Sequence, residues 1–402
     1  MAYKRAFIPY DAYWSTPFCR WQGSFAHLHS MIFAAEICKG ALRGRAIPTD
    51  TFDGLVLGIT IPQKSSFYGA PWMAGMIGAP GITGPTISQA CATSAKCVSA
   101  ASEEIELGNN EAILVVTCDR TSNGPHIYYP NPMGVGGTGD KEDWVWDNFG
   151  YDPYAKNAMI ETAENVAKEA GITKEEQDEV AYMRYSQYQD ALKDGSAFLN
   201  RFMVVPIDVK DATGRKVIAT VTGDEGVFPT TPDGLARLRT SLEGGTVTFG
   251  TQTFPADGNA SLIITTQEKA RELSRDKNVE IQVLSYAESR TKRGYMAKSI
   301  VPAAERALSR AGIGIKDVKA IKTHNPFAVN DVFFCREMGI KFEDMNNYGC
   351  SLVWGHPQGP TGARLIIELI EELVILGGGY GLFDGCAAGD TAAAVVLKVD
   401  IK

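Results

Sequence analysis

Cys91 is the residue of this chain best placed for nucleophilic chemistry. The segment Ala90-Cys91-Ala92-Thr93 follows a strand-like stretch and opens a stretch typical of a helix. Backbone N–H groups and the dipole at a helix start stabilise an anion, so they favour the thiolate of a cysteine there. Small neighbours leave room for a substrate. The alternative is a small buried core cysteine, and we keep that interpretation for Cys19, Cys38, Cys97 and Cys118.

His356 is a candidate base for such a thiol. It lies in the segment GHPQGPTGAR (355–364), between glycines and ahead of a stretch typical of a helix. Glycine admits close approach of the backbone, and imidazole can take a thiol proton near neutral pH. The alternative is a helix-capping turn that contains an incidental histidine.

His324 and Cys386 are further candidates. His324 ends a strand-like stretch, and the carboxyl ends of parallel strands are where ligand sites gather in open α/β sheets. Cys386 follows glycines 377, 378, 379, 381 and 385, which we interpret as a tight turn whose amides could hold an oxyanion. A core histidine and a glycine-rich hairpin with a buried cysteine are the respective alternatives.

Alternating helices and strands must position these residues. Apolar runs without alternation, such as 54–61 and 111–117, indicate strands covered by helices on both faces. The pattern predicts helices over 91–108, 158–170 and 302–312, and strands over 281–289 and 318–324. Thr173 and Glu176 predict a capping box at the start of another helix. The two halves of the chain show a weak internal repeat. In this repeat His356 of the second half takes the position that Cys91 has in the first half, so both residues could face one cleft.

Composition limits the class of protein. The 402 residues suffice for two to three domains, and a net charge of -8 argues against a broad nucleic-acid surface. We expect no membrane span and no signal peptide, hence a cytoplasmic protein. Eight scattered cysteines without a CxxC pair predict free thiols, and without CxxC or HExxH we expect no metal site.

Together these segments resemble the thiolase superfamily in order and spacing. The Cys91 segment, the HxxF segment at His324, GHPQGPTGAR and the terminal Cys386 segment carry the resemblance, with support from AENVAKEAGITKEEQDEVA and TTPDGLARLR in the middle. The resemblance implies two duplicated βαβαβαββ halves in a five-layered α/β/α/β/α fold. The expected parts are an N-terminal half (1–119 plus 246–275), an inserted loop domain (120–245) and a C-terminal half (276–402).

The resemblance also implies roles. Cys91 would carry the acyl group as a thioester, His356 would activate it, Cys386 would be the acid/base at the carbon being joined, and His324 would line the oxyanion hole of the enolate. The backbone amides of Cys91 and Ala388 would hold the acyl carbonyl. Coenzyme A would be the co-substrate, with Thr253, Phe327, Met133 and His126 as expected contacts.

Three departures from the family pattern stand out. Alanine replaces glycine at Ala388, Asn325-Pro326 replaces the commoner Glu-Ala after the histidine, and the N-terminal RTPxG reads Ser15-Thr16-Pro17-Phe18. Large rings in the expected entry regions suit an aromatic or bulky acyl chain, as in HxxF-type thiolases that cleave benzoylsuccinyl-CoA, unless they fill the core or a subunit interface. These rings are Trp72, Tyr128, Tyr129, Trp144, Trp146, Phe149, Tyr151 and Trp354.

Two other functions stay open from the sequence. One is a ketosynthase or 3-hydroxy-3-methylglutaryl-CoA synthase of the same fold, although the Cys386 segment favours a thiolase. The other is a non-catalytic subunit that binds acyl-CoA. The resemblance implies at least a homodimer, and some HxxF-type thiolases work with a small zinc-ribbon/OB-type partner, which would here be a separate chain.

Overall fold

The computed structural model describes residues 2–402, and its centre is a large mixed sheet. The strands of the chain are β1 (Phe7–Ile8), β2 (Tyr13–Ser15), β3 (Cys19–Arg20), β4 (Gly54–Gly58), β5 (Thr86–Ile87), β6 (Ala112–Arg120), β7 (His126–Tyr129), β8 (Asp140–Asp143), β9 (Ile207–Lys210), β10 (Val217–Val221), β11 (Ala256–Thr265), β12 (Val279–Arg290), β13 (Val318–His324), β14 (Gly379–Ala387) and β15 (Thr391–Ile401). The large sheet has the strand order β13-β14-β15-β12-β1-β11-β6-β4-β5, and β2 and β3 also pair with β11. The hairpins β7–β8 and β9–β10 are separate two-stranded sheets.

Helices cover both faces of this sheet. They are α1 (Ser30–Gly44), α2 (Gly69–Ile77), α3 (Thr93–Leu107), α4 (Trp146–Gly150), α5 (Met159–Ala170), α6 (Lys174–Ala191), α7 (Lys193–Ser196), α8 (Pro232–Ala236), α9 (Gln267–Leu273), α10 (Ile300–Ala311), α11 (Ala328–Met338), α12 (Ser351–Trp354) and α13 (Gln358–Ile375). None of the helices in 2–402 is long and apolar enough to span a bilayer.

The helices and strands form five layers. α1 and α2 pack on the outer face of the strands β4, β6 and β11, and α3 and α13 pack on their inner face. α13 also packs on β13 and β14, whose other side, together with β12 and β15, is covered by α10. This is the α/β/α/β/α arrangement that the resemblance to the thiolase superfamily implied. Strands with helices on both sides have no solvated face, which explains their uninterrupted apolar runs.

The two halves share one hydrogen-bonded ladder. β1 pairs antiparallel with both β11 and β12, at Phe7↔Thr265 and Phe7↔Gln282. Within the halves, β4 is parallel to β6, and β13 is parallel to β14. The carboxyl ends of β13 and β14 lie side by side, because His324 is registered with Gly385. This register brings His324 close to Cys386.

Two local expectations were wrong. The turn that precedes Cys91 contains a strand of only two residues, and α3 begins at Thr93 rather than at Cys91. Gly377 and Gly378 form the turn before β14 and Gly379 begins the strand, whereas Cys386 lies near its other end. Gly381 and Gly385 are strand residues, so the glycine-rich segment supplies a close approach of strand and helix rather than an oxyanion turn. At Gly381 a Cβ would lie 2.7 Å from the Leu373 side chain on α13.

Candidate active site

A strained turn presents Cys91 at the start of α3. Ala90, the residue before it, has φ +44°, a left-handed conformation that is costly for a residue with a Cβ. The Thr93 hydroxyl fixes the turn, since it donates to the Ala90 carbonyl at 2.7 Å and accepts from the Gln89 amide at 2.8 Å. Backbone strain that surrounding hydrogen bonds hold in place is a common feature of functional sites.

His356 lies next to the Cys91 sulfur. Its Nε2 is 3.1 Å from Cys91 Sγ, and its Nδ1 is 2.7 Å from the Thr361 hydroxyl. The Thr361 hydroxyl donates its own hydrogen to the Pro357 carbonyl at 2.6 Å, so its oxygen can only accept from the ring. Nδ1 therefore carries the hydrogen, and Nε2 is the basic nitrogen that faces the thiol.

The backbone around His356 is held from two sides. The His356 amide donates to the Phe254 carbonyl at 2.9 Å, next to the β-bridge between Pro255 and His356. Beyond it, the Gly359 amide donates to the buried Asp119 carboxylate at 2.6 Å. Ordering both sides of the segment fixes the imidazole relative to the thiol, which general-base catalysis requires.

His324 stacks on His356. The ring centroids are 4.0 Å apart at an interplanar angle of 28°. His324 Nδ1 is 2.9 Å from the Ser351 hydroxyl, and its buried Nε2 has no hydrogen-bond partner within residues 2–402. The Ser351 hydroxyl has two possible acceptors, His324 Nδ1 at 2.9 Å and Asn325 Oδ1 at 3.5 Å. When it donates along the shorter contact to Nδ1, Nε2 carries the hydrogen and can donate to a substrate oxygen.

Cys386 completes the cluster. Its sulfur accepts a hydrogen bond from Asn330 Nδ2 at 3.1 Å. Burial raises the pKa of Cys386 well above its usual value, and ionisation of Cys91 would raise it further. The backbone amides of Ala388 and of Cys91 itself both lower the pKa of the Cys91 thiol, against the larger effect of burial. The structure thus brings the four predicted side chains together, and the two predicted amides act on the ionisation of Cys91.

Burial keeps all four groups neutral. It raises the pKa of Cys91 to about 12, lowers the pKa of His324 to about 3, and lowers that of His356 well below its usual value. The backbone amides at Cys91 lower the pKa of its thiol as expected, but the larger effect of desolvation leaves that pKa raised in the free protein. Cys91 and His356 are each 6% exposed, against 1% for His324 and 0% for Cys386. Access to the cluster is therefore from the Cys91 and His356 side.

The expected coenzyme A contacts divide into two groups. Thr253 and Phe327 lie beside the catalytic segment, since the Thr253 hydroxyl donates to the Ser351 carbonyl at 2.5 Å and Phe327 bridges to Gln252. His126 and Met133 lie on and beyond the exposed strand β7, where Met133 is 92% exposed. The structure does not place these two in contact with the catalytic cluster, so their role stays a prediction.

Several residues of the site escaped the sequence reasoning. Thr361, Ser351 and Asn330 each contact one of the four predicted side chains. Thr361 was recognisable in principle, because it lies five residues after His356 in the same motif. Ser351 and Asn330 come from α12 and α11, so only the fold reveals their contacts. Trp354, predicted as an entry residue, is instead a core residue at 0% exposure, with the Arg364 guanidinium 4.1 Å from its ring centre.

The cluster also has the spacing of a metal site. Donor atoms of Cys91, His324 and His356 lie within 4.8 Å of one another, and thiolate and imidazole are ligands that Zn²⁺ accepts. A soft metal bound there would occupy both the nucleophile and its base. The arrangement therefore makes metal binding and acyl transfer mutually exclusive.

A thiol paired with a basic imidazole, two amides at its sulfur and a second thiol nearby define a site for transfer of an acyl group through a thioester. Comparison with known proteins agrees. Residues 12–268 match the family model of the thiolase N-terminal domain, and residues 277–399 match that of the thiolase C-terminal domain. The chain belongs to the thiolase family.

Relatives cover almost the whole chain. An acetyl-CoA acetyltransferase of Syntrophomonas wolfei is 28% identical over 393 residues, which cover 95% of this chain and 96% of the relative. The acetyl-CoA acetyltransferase of Escherichia coli is 27% identical and covers 94% and 95%. The structure of human mitochondrial 3-ketoacyl-CoA thiolase in complex with CoA has a TM-score of 0.88 at 26% identity and covers 99% of each chain. The chain is accordingly an acyltransferase of the thiolase type.

Proposed function

We propose that this acyltransferase cleaves or forms a 3-oxoacyl-CoA, with Cys91 as the acyl carrier. The observation that carries the proposal is the 3.1 Å contact between Cys91 Sγ and the basic Nε2 of His356. The backbone amides of Cys91 and Ala388 support it, because both lower the pKa of the same thiol. These amides can hold the oxygen of a carbonyl that the sulfur attacks.

In the cleavage direction, Cys91 Sγ bonds to the C3 carbonyl carbon while its proton moves to His356 Nε2. The C2–C3 bond then breaks, and its electron pair forms the enolate of the departing acyl-CoA. His324 Nε2–H donates to the enolate oxygen, and the Cys386 thiol gives its proton to C2. Coenzyme A next attacks the Cys91 thioester, the acyl group moves to its sulfur, and its proton restores the Cys386 thiol, with the proton on His356 returning to Cys91. Covalent catalysis divides one difficult step into two easier ones.

Intact-mass spectrometry after mixing with acetoacetyl-CoA or acetyl-CoA tests this proposal. We expect a mass increase of one acyl group on the wild-type chain and on a Cys38→Ser control, and no increase on Cys91→Ser. Tight binding without an adduct would instead support the non-catalytic acyl-CoA-binding subunit. Cys386→Ala should abolish C–C bond cleavage but still accept an acetyl group from acetyl-CoA, because thioester exchange breaks no C–C bond. Full activity of that variant would support a ketosynthase-like mechanism.

For the acyl chain, we propose a bulky or aromatic group. Support comes from exposed rings in the predicted loop domain: Tyr128 (52%), Tyr129 (46%), Trp146 (50%) and Tyr151 (52%). Kinetics with an aryl 3-oxoacyl-CoA of the benzoylsuccinyl type and with acetoacetyl-CoA separate the possibilities. Rapid turnover of acetoacetyl-CoA with no cleavage of any aryl substrate would reject the bulky chain and leave the thiolase proposal intact.

The coenzyme A contacts form a separate part of the proposal. Loss of a contact to a part of the substrate that does not react should raise KM and leave kcat unchanged. Met133→Ala and His126→Ala are therefore expected to raise KM for acyl-CoA several-fold. Val135→Ala is a matched control, since Val135 lies in the same loop and is 95% exposed.

The proposal also covers the cellular compartment and the oligomeric state of the enzyme. We propose a cytoplasmic homodimer or larger oligomer, with a small zinc-ribbon/OB-type chain as a further partner. All eight cysteines are buried and none is in a disulfide, which suits a reducing compartment. Light scattering of the purified chain, alone and with the partner, measures the assembly directly.

A further inference from the structure

Asp384 is a buried carboxylic acid that the mechanism above does not use. Its side chain is 0% exposed, and neither oxygen has a hydrogen-bond partner within residues 2–402. It lies two residues before Cys386 on the regular strand β14, so the two side chains point to the same face of the sheet. Gly385 between them points to the opposite face, where a Cβ would lie 2.9 Å from His324 Cβ. The side chains of Asp384 and Cys386 are thus neighbours on one face of β14.

Asn330 also has a buried polar atom without a hydrogen-bond partner, and this atom is an acceptor. Its Nδ2 donates to Cys386 Sγ at 3.1 Å, but its buried Oδ1 has no donor within the same residues. An amide oxygen can only accept, and a carboxylic acid that keeps its proton has one hydrogen to donate. The carboxylic acid of Asp384 can therefore donate the hydrogen bond that Asn330 Oδ1 lacks. Both side chains are neighbours of the Cys386 sulfur.

We propose, on the basis of the thiolase function above, that Asp384 is a positioning residue for Cys386. As a neutral acid it donates to Asn330 Oδ1, which holds the Asn330 amide with its Nδ2–H directed at the Cys386 sulfur. The amide then stabilises the thiolate that forms each time Cys386 gives up its proton. Hydrogen bonds to the charged form of a group favour that form.

The surroundings favour the neutral acid. Burial raises the pKa of Asp384 well above its usual value and outweighs the Gly385 amide, which lies near the carboxyl group without meeting the geometry of a hydrogen bond to it. The nearby titratable groups are Cys91, which faces Cys386, His324 on β13, and Asp331 on α11, which already pairs with Arg184 at 2.7 Å. Within 2–402, no cation forms a salt bridge with Asp384 that could hold it ionised.

Alkylation of Cys386 tests the proposal without requiring catalysis. In a Cys91→Ala background, the rate of reaction of Cys386 with iodoacetamide is followed by mass spectrometry between pH 7 and 10. Asp384→Leu removes the donor and should lower the rate at a fixed pH about tenfold, as expected for a rise of about one unit in the thiol pKa. Asp384→Asn keeps a neutral donor and should stay within about two-fold of the parent.

Leu382→Ala is the matched control. Leu382 is buried on the same face of β14, two residues before Asp384, so its truncation loosens the packing without touching the amide of Asn330. Its alkylation rate should match that of the parent. Unchanged rates in Asp384→Leu would overturn the proposal, and so would an increase in both Asp384 variants, because the latter would mean an ionised carboxylate. Failure of the thiolase function would instead appear as a wild-type enzyme without activity.

Discussion

Hydroxyl groups decide what the histidines of this site can do. Thr361 donates to the Pro357 carbonyl and accepts from His356 Nδ1, which leaves Nε2 as the base. We expect Thr361→Val to lower kcat roughly 100-fold, since a general base in the wrong tautomer loses most of its contribution. Steady-state kinetics at several pH values measure the loss.

Thr361→Ser is the control for this substitution because it keeps the hydroxyl. It should retain kcat within a few-fold of the wild type. Equal losses in the Ser and Val variants would show that the methyl group of Thr361 matters through packing, and the tautomer argument would then be wrong.

The neutral state of Cys91 and His356 predicts how the alkylation rate of Cys91 depends on pH. Burial raises the pKa of Cys91 to about 12 and lowers that of His356, so no thiolate–imidazolium pair forms in the free protein. In a Cys386→Ala background, the alkylation rate of Cys91 should rise about tenfold per pH unit from pH 7 to 10. A plateau across neutral pH would contradict this prediction, because a preformed ion pair reacts at a constant rate there.

Residue types and local segments made Cys91, His324, His356 and Cys386 candidates, and the resemblance of their four segments to one family favoured them over core residues. Their protonation states could not be read from the sequence. The helix start argued for a lowered pKa of Cys91, but the outcome depends on how much water the folded chain removes. The partners Thr361, Ser351 and Asn330 likewise depend on which elements the fold brings together.

At the scale of helices and strands, the predictions that the structure confirms are those with a strong local sequence pattern. β13 spans Val318–His324 as predicted, and the capping box of Thr173 and Glu176 is present at the start of α6. Both features have signals within a few residues. The glycines 377–379 were misplaced because composition marks a turn but not its distance from Cys386 along the following strand.

Asp119 joins elements that lie far apart in sequence. One of its oxygens accepts from the Thr60 and Ile61 amides, and the other accepts from the Thr60 hydroxyl and, at 2.6 Å, from the Gly359 amide. The carboxylate therefore ties the end of β6 to the chain after β4 and to the first turn of α13. This tie orders the segment that carries His356.

Replacing this carboxylate should be costly. Asp119→Asn puts an amide N–H₂ where one of the oxygens accepts, so at least one buried donor faces another donor. We expect a loss of about 3 kcal/mol in the free energy of unfolding, measured by urea denaturation. Asp53→Asn is the control, because Asp53 is an exposed carboxylate directly before β4 that also accepts backbone amides, those of Glu111 and Ala112. It should cost less, and equal costs would show that burial is not what makes Asp119 important.

At the scale of the whole molecule, a chain of buried charges joins the predicted loop domain to the central helix. Arg364 on α13 is 0% exposed and binds Asp224 through two nitrogens, at 2.6 and 2.8 Å. It also pairs with Glu368 at 3.0 Å, which lies 3.8 Å from Lys322 on β13. The Tyr188 hydroxyl adds a bond to Asp224 at 2.9 Å.

Such a network makes the folding of the parts interdependent. A buried pair contributes little net stability compared with apolar residues, but removing one partner leaves the other charge uncompensated. Asp224→Asn leaves the Arg364 guanidinium with a neutral amide in place of a carboxylate. We therefore expect the free energy of unfolding to fall by about 3–5 kcal/mol.

Urea unfolding followed by tryptophan fluorescence and by circular dichroism measures this change. Because the network connects the loop domain to α13, the two signals should keep one common midpoint in the wild type and shift together in Asp224→Asn. Asp208→Asn, an exposed carboxylate on β9 in the same region, should change the free energy by less than about 0.5 kcal/mol. A variant in which only part of the structure unfolds early would show instead that the loop domain folds independently and that the buried charges do not couple it to the catalytic halves.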